Sequence, residues 1–403
     1  MEKIKSAVGS MVQTGIRREK PNVFKPFEEK GTPIEEQFRN WNTVVKAPYD
    51  KDKVDAYTRT RVILMNGIEN NSVLTSHAMA RMIENDEIKR KMAAIRRADS
   101  QHQLTVDWLN PGNQSILETT IGYEQVAVDL TANLAKNEPN DYFRQTLDFA
   151  LLEDFDHLYR YSLLMKMLEN KDAENIVQGK TEIKPGRPTS IEHRHPDDEM
   201  RLHFGKDSAQ IKSWMNYFTI VSGEQQTMLY YRTHGANLTD DLARKLYAEI
   251  AEIEEQHVSQ YEAVGDPNAT HLEMATLIQL SEAYNYYSCM MTEPNERIRN
   301  IWAEFLADEI EHFNICNQLL EKYEKKDIRD AIKAESIEPL IVFEPNKEYV
   351  NKVLEEQVNL RPYNMKFMPE EELPSDWKSF SYQEKVNAGG VPSDIVEERW
   401  RER

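Results

Sequence analysis

Four acid-x-x-His pairs lie inside apolar helical stripes of this sequence. In the stretch FLADEIEHFNIC, Phe305, Phe313 and Cys316 recur at helical spacing, and Glu309 and His312 fall on the same face. The four pairs are Asp99/His102, Asp154/His157, Glu254/His257 and Glu309/His312. A charged side chain is costly inside an apolar environment unless a partner compensates it. The pattern therefore predicts helices that bury groups in need of a counter-charge.

These pairs belong to an internal duplication with an offset of 155 residues. Five acidic or imidazole positions coincide at that offset without a gap: Glu69 with Glu224, Asp99 with Glu254, His102 with His257, Asp154 with Glu309, and His157 with His312. So long a period is not that of a solenoid, whose repeats are shorter. It predicts two copies of a helical bundle.

Turn-forming stretches divide the chain into helices and outer segments. Apolar periodicity predicts four helices over 55–170 and four more over 206–325, and short connections between consecutive helices are typical of an up-down bundle. We therefore predict an all-α fold with two tandem four-helix bundles. The predicted segments are an N-terminal arm (1–54), bundle one (55–170), a linker (171–205), bundle two (206–325) and a C-terminal extension (326–403).

Each helix that precedes an acid-x-x-His helix carries a carboxylate on its predicted inner face. These residues are Glu69, Glu124, Glu224 and Glu282. A bundle then offers two lone glutamates and two acid-x-x-His pairs. Four carboxylates neutralise two divalent cations, and oxygen and imidazole ligands suit iron or manganese.

The arrangement resembles the ferritin-like superfamily, which includes ferritins, rubrerythrins, manganese catalases and carboxylate-bridged di-iron oxidases. The resemblance covers about 240 of the 403 residues. It implies two tandem ferritin-like bundles, each with a dinuclear site of two iron ions, or alternatively manganese. In bundle one the implied ligands are Glu69, Asp99, His102, Glu124, Asp154 and His157. In bundle two they are Glu224, Glu254, His257, Glu282, Glu309 and His312.

Two departures from the family pattern affect these ligand sets. Both acid-x-x-His motifs of bundle one carry Asp, which shortens the reach by one methylene, so we expect a weaker or empty site there. In bundle two, Gln279 stands in register with Glu124, and Glu282 one turn later supplies the missing anion. Glu118 and Glu273 also match at the 155-residue offset and are reserve candidates.

Several further residues have two interpretations. Tyr161 and Tyr261 each follow a motif histidine by four residues, and are candidates for a catalytic radical or proton-donor role or for core packing. Cys289 and Cys316 are predicted core residues, with redox chemistry as the alternative. His193, His195 and the PDDE stretch after them are predicted to lie in a solvated loop of the linker, with an accessory cation site as the alternative.

The composition limits the partners. A net charge of −19 argues against nucleic acid and anionic membranes. Two cysteines without a CxxC motif exclude a disulfide framework and a rubredoxin-type iron site, so electrons would have to come from a separate donor protein. The sequence has neither a signal-peptide pattern nor a membrane-spanning run, so we expect a cytoplasmic protein, and also a homo-oligomer.

The leading hypothesis is a non-haem di-iron carboxylate oxidoreductase that reduces or activates peroxide or O₂. Three alternatives stay open at this point: a manganese catalase, an oxygenase acting on an organic substrate, and an iron-binding or structural protein. Whether both bundles are active also stays open.

Overall fold

Eight long α-helices, α1 to α8, dominate residues 23–403, the part of the chain that the computed structural model describes. They are α1 (Ala56–Ala80), α2 (Asp86–Asp107), α3 (Ile116–Asn137), α4 (Asp141–Glu169), α5 (Ile211–His234), α6 (Asp241–Val264), α7 (His271–Thr292) and α8 (Glu296–Glu324). The prediction of an all-α fold is confirmed for the described residues, which add one two-stranded β-hairpin. Residues 1–22 of the predicted arm lie outside the described residues.

The helix ends follow local capping chemistry, which also repeats after 155 residues. The Ser115 hydroxyl accepts from the Glu118 N–H at 3.1 Å, and the Glu118 carboxylate accepts from the Ser115 N–H at 2.8 Å. Thr270 and Glu273 form the same capping box at the start of α7. Glu118 and Glu273 are therefore helix-capping residues, and neither reserve candidate joins the buried acid clusters described below.

The long helices form two sets of four, and each set takes one hairpin from each half of the chain. Helices α1 and α2 pack with α7 and α8, whereas α3 and α4 pack with α5 and α6. This differs from the sequence prediction, in which 55–170 and 206–325 each closed on itself. The reason is that every hairpin presents the same kind of apolar stripe, and a hairpin of either half can cover it.

Helices α1 and α5 join the two sets along their length. Gln226 on α5 donates to the Ile63 carbonyl at 2.8 Å and accepts from Asn66 at 3.1 Å. A β-carbon on Gly67 would lie only 2.6 Å from the Gln226 side chain, so a larger residue there would displace the Gln226 amide that makes these two hydrogen bonds.

The duplication extends beyond the helices into the arm and the predicted linker. The Thr32 N–H donates to the Ala307 carbonyl on α8 at 2.8 Å, and the Arg187 N–H donates to the Leu152 carbonyl on α4 at 3.1 Å. The two donors, Thr32 and Arg187, are 155 residues apart, and so are the two acceptors, Leu152 and Ala307. The segment 171–205 is therefore not only a connection, because it packs on α4 as the arm packs on α8.

Glycines make this packing possible. A β-carbon on Gly31 would lie 2.7 Å from the Glu311 backbone nitrogen, and one on Gly186 would lie 2.6 Å from the Leu152 carbonyl oxygen. Either distance is shorter than atoms tolerate, so the arm and its counterpart pass their helices only with glycine.

From residue 347 onward, the C-terminal extension covers the second set of helices. It contains α9 (Lys347–Gln357), strands β1 (Leu360–Tyr363) and β2 (Lys366–Pro369), α10 (Lys378–Val386) and α11 (Pro392–Arg401). Strands β1 and β2 are antiparallel, with Leu360 opposite Pro369. Helices α9 and α11 both pack on α4. No helix within residues 23–403 has the combination of length and apolarity that crossing a bilayer requires.

Candidate metal centres

The interleaved helices gather the twelve predicted ligands into two buried clusters. Centre A consists of Glu69, Asp99, His102, Glu282, Glu309 and His312, from α1, α2, α7 and α8. Centre B consists of Glu124, Asp154, His157, Glu224, Glu254 and His257, from α3 to α6. None of the twelve side chains belongs to a residue more than 2% exposed. All twelve meet at a centre, but the grouping differs from the predicted ligand sets.

This grouping changes the expectation about the aspartates. The sequence placed Asp99 and Asp154 in one site, which was expected to be weak. In the structure Asp99 lies with Glu309, and Asp154 lies with Glu254. Each centre therefore has one short and one long carboxylate from its acid-x-x-His motifs.

In centre A, Glu309 lies between the two imidazoles. Its Oε1 is 3.0 Å from Nδ1 of His102, and its Oε2 is 3.0 Å from Nδ1 of His312. Asp99 Oδ1 lies 3.1 Å from Nδ1 of His312, and Glu69 Oε1 lies 3.3 Å from Nδ1 of His102. Each imidazole thus turns its Nδ1 toward two carboxylates.

Centre B repeats the arrangement. Glu254 Oε1 is 3.1 Å from Nδ1 of His157, and Glu254 Oε2 is 3.2 Å from Nδ1 of His257. Asp154 Oδ1 is 3.3 Å from the same His257 atom. Glu224 Oε2 lies 3.7 Å from it. Glu254 and Glu309 therefore hold equivalent central positions, although they are not in register with each other in the duplication.

Several oxygens of these clusters make no hydrogen bond to any residue within 23–403. They include Glu69 Oε2 and Glu282 Oε1 in centre A and Glu124 Oε2 in centre B. A buried carboxylate oxygen without a partner is destabilising, and native proteins rarely leave one unexplained. Divalent cations would satisfy these atoms, so the donor set fits a metal site.

The electrostatics show the same need for positive charge. Burial raises the pKa of Glu69 to about 8 and that of Glu224 to about 8, against the attraction of the histidines beside them. Burial and repulsion from neighbouring carboxylates raise the pKa of Glu282 well above its ordinary value. For Glu309, His312 and His102 outweigh burial and lower the pKa to about 2. Of the four carboxylates in centre A, only the central Glu309 is held in its charged form by the positive charge that the protein itself supplies.

A second layer of side chains fixes the imidazoles from behind. The Nε2–H of His102 donates to Asp308 at 3.1 Å, and that of His257 donates to Glu153 at 2.6 Å. Glu153 and Asp308 are again 155 residues apart. These bonds direct the Nδ1 atoms toward the carboxylates, the usual orientation of metal-binding histidines. Sequence reasoning missed both acids, although each directly precedes a motif acid in the chain.

The arm supplies the corresponding partner of His312. Gln37, near the N-terminus of the described chain, accepts from Nε2 of His312 at 2.6 Å. Arg39 donates to Asp308 at 2.5 Å and thereby supports His102 as well. The predicted N-terminal arm is therefore part of the surroundings of centre A.

The segment predicted as a solvated linker contributes buried charges near centre B. Arg187, Arg194 and Glu192 are each at most 1% exposed. His193 is also buried, with Nε2 3.0 Å from Glu249. The solvated-loop prediction is wrong for His193, because its ring lies between Glu249 on α6 and Asn387, which directly follows α10. His195 is only partly buried and accepts from the Asp197 N–H.

Tyrosines contact the centres, but not as predicted. Tyr286 donates to Glu69, and Tyr231 donates to Glu124. Sequence reasoning missed both. Tyr161 and Tyr261 are fully buried, and their hydroxyls lack a hydrogen bond within the described chain. Their catalytic role stays a prediction. Cys289 and Cys316 are buried, as expected.

Comparisons of the chain with protein-family models, with curated proteins and with solved structures found no match. The function is therefore inferred from the two centres themselves.

Proposed function

We propose that the protein is a non-haem dinuclear metal oxidoreductase with ferritin-like helical bundles, which binds two metal ions at each centre and reduces peroxide or dioxygen. The observation that carries this proposal is the position of Glu309 and of Glu254. Each lies between two imidazole Nδ1 atoms, among three further buried carboxylates.

Charge balance supports two divalent ions at each centre. Four carboxylates bring four negative charges into a fully buried volume, where unpaired charge is strongly unfavourable. Two divalent cations offset that charge. The raised pKa values of Glu69 and Glu224 are the expected behaviour of carboxylates whose counter-ions are divalent cations rather than protein groups.

The geometry assigns a role to each kind of side chain. Glu309 and Glu254 would help to hold the ions from their central position between two imidazoles, and the histidines would contribute the Nδ1 atoms that face those carboxylates. Carboxylates and imidazoles suit iron or manganese, and such a pair supplies the electron steps that reduction of peroxide or dioxygen needs. Asp308 and Glu153 accept the Nε2 protons and so keep Nδ1 available.

The protein must also supply protons and receive electrons. Reduction of one peroxide to two waters consumes two electrons and two protons. Tyr286 and Tyr231 hold hydroxyl protons against Glu69 and Glu124, inside the centres. The chain has two cysteines and no CxxC motif, so we assign the electrons to a separate donor protein.

Metal analysis of the purified protein tests the binding part of the proposal. We expect about four iron or manganese ions per chain after anaerobic loading. Glu309→Gln should remove about two of them, and Glu254→Gln the other two. Glu321→Gln and Glu252→Gln are matched controls on α8 and α6, because both side chains are exposed, and they should lose none. Retention of all metal by both centre variants, or failure of the wild-type protein to bind iron and manganese, would contradict the proposal.

Peroxide consumption tests the chemistry. An iron peroxidase consumes peroxide only with a reductant such as reduced methyl viologen. A manganese catalase needs no reductant and releases O₂. Metal-loaded protein that neither consumes peroxide nor reduces O₂ would rule out the oxidoreductase and leave metal storage or a structural role.

A further inference from the structure

Centre A has a narrow crevice leading to it from the surface. The crevice offers about 20 Å³ and reaches Asp99, which is fully buried. Ser76, half-buried, lies at its outer end, where Arg96 donates to the Ser76 hydroxyl at 3.2 Å. Met92 and Cys316 line the wall. About 10–15 Å³ suffices for one water molecule, so the crevice holds a very small molecule and no larger one.

The duplication allows the same positions to be compared in centre B. Ser76 corresponds to Tyr231, Met92 to Tyr247 and Cys316 to Tyr161. The three tyrosines are at most 1% exposed and contact one another, with ring centroids 4.8 to 5.5 Å apart. Three aromatic rings thus stand where centre A has a hydroxymethyl, a thioether and a thiol.

Hydrogen bonds hold this tyrosine cluster in place. Tyr231 donates to Glu124, and the hydroxyls of Tyr247 and Thr120 lie 2.5 Å apart. Tyr231 therefore contacts a carboxylate of centre B and also fills the space that corresponds to the outer end of the centre A crevice. The cluster is a fixed part of the core.

We propose that centre A is the centre that small oxidants reach, through the crevice beside Ser76, Met92 and Cys316, and that Tyr161, Tyr231 and Tyr247 close centre B to them. The occupant is a two-oxygen molecule, hydrogen peroxide or dioxygen, because the space excludes organic substrates and leads directly to Asp99. The identity of the oxidant rests on the proposed function. The difference in access between the centres does not.

Thiol labelling measures this access without any metal. Cys316 lies in the crevice, whereas Cys289 is equally buried outside it. Burial raises the pKa of both thiols, and Asp99 and Glu309 raise that of Cys316 further, so intrinsic reactivity favours Cys289. We expect hydrogen peroxide, which is small enough for the crevice, to label Cys316 by oxidising its thiol to a sulfenic acid, with release of water, at least tenfold faster than it labels Cys289 in the wild-type protein. Equal rates, or faster labelling of Cys289, would overturn the proposal.

Substitutions at the two routes sharpen the test. Ser76→Tyr should slow labelling of Cys316 about tenfold and leave Cys289 unchanged, which also shows that the variant is folded. In Tyr161→Cys the introduced thiol should label slowly, and adding Tyr231→Ser should speed it about tenfold. No effect of Ser76→Tyr on Cys316, or fast labelling in Tyr161→Cys alone, would refute the assignment of the routes.

Peroxide consumption by the metal-loaded protein then tests the occupant. Ser76→Tyr should lower the rate at least fivefold while the metal content stays at the wild-type value. An unchanged rate would overturn the crevice as the oxidant route. If the wild-type protein consumes neither peroxide nor O₂ but the labelling pattern is as expected, the proposed function fails and the difference in access stands.

Discussion

The grouping of ligands across the two halves predicts how pairs of substitutions combine. Asp99 and Glu309 belong to one centre, whereas Asp99 and Asp154 belong to different centres. We therefore expect Asp99→Ala/Glu309→Ala to lose about two of four metal ions, and Asp99→Ala/Asp154→Ala to lose all four. If each half closed on itself, Asp99→Ala/Asp154→Ala would instead lose about two ions, and Asp99→Ala/Glu309→Ala would lose all four.

The size of the effect follows from the charge count at each centre. Removal of Asp99 leaves three carboxylates against two divalent ions, an excess of one positive charge at a site with no solvent exposure. At about 4 Å and an effective dielectric constant of about 20, one unit of charge contributes about 4 kcal/mol. That corresponds to about a thousandfold loss of affinity. At free metal about a hundred times the wild-type Kd, the altered centre would therefore be mostly empty.

Equilibrium dialysis against Fe(II) or Mn(II), followed by elemental analysis, measures the stoichiometry. Circular dichroism at each loading shows whether the helices are intact. Each occupied site should also stabilise the folded chain by about 2.7 kcal/mol at a hundred times Kd, which thermal unfolding detects. If the Asp99/Glu309 pair lost all four ions and the Asp99/Asp154 pair kept two, the interleaved grouping would be refuted.

Three further predictions concern stability. Asp129→Asn should raise the free energy of unfolding at pH 8 by up to about 4 kcal/mol and leave it unchanged at pH 4. Burial raises the pKa of Asp129 to about 7, so the cost of burying its charged form accumulates only as pH rises from about 4 to 7. Urea unfolding at both pH values measures this, and an equal effect at both would contradict it. Gly31→Ala should cost about 1–3 kcal/mol, because the new methyl meets the Glu311 backbone. Gly112→Ala, whose methyl meets no atom of residues 23–403, is the control in a melting experiment, and equal melting temperatures would argue against the close packing. Ser115→Ala should cost about 1 kcal/mol by removing a helix cap, as thermal unfolding would show; no loss would mean that Ser115 does not stabilise α3.

The sequence predicts much of this fold because its signals are local. Seven of the eight long helices begin at a residue whose side chain accepts from a first-turn N–H group, such as Asn140 before α4 and Asn295 before α8, and α5 is the exception. The candidate ligands are visible for a similar reason, since a carboxylate inside an apolar stripe contradicts the pattern around it. Both kinds of signal lie within a few residues of the feature they predict.

The pairing of hairpins is not local, and the sequence did not predict it. The α1–α2 hairpin carries one apolar stripe, and the α3–α4 and α7–α8 hairpins offer equivalent surfaces to cover it. The supporting acids were missed for a different reason. Glu153 and Asp308 each directly precede a motif acid. In a chain with 69 acidic residues, two consecutive acids usually indicate a solvent-exposed helix face, so nothing in the sequence indicated that these two are buried.

Interleaving has a consequence for how the two halves can change over time. A polypeptide of half this length could complete neither centre unless it exchanged hairpins with a second copy, and in such a symmetric pair every substitution would alter both centres at once. Joining the halves in one chain removes that restriction. Tyr231 can then stand where the equivalent position of the other half keeps Ser76, so the surroundings of one centre can change while those of the other stay the same.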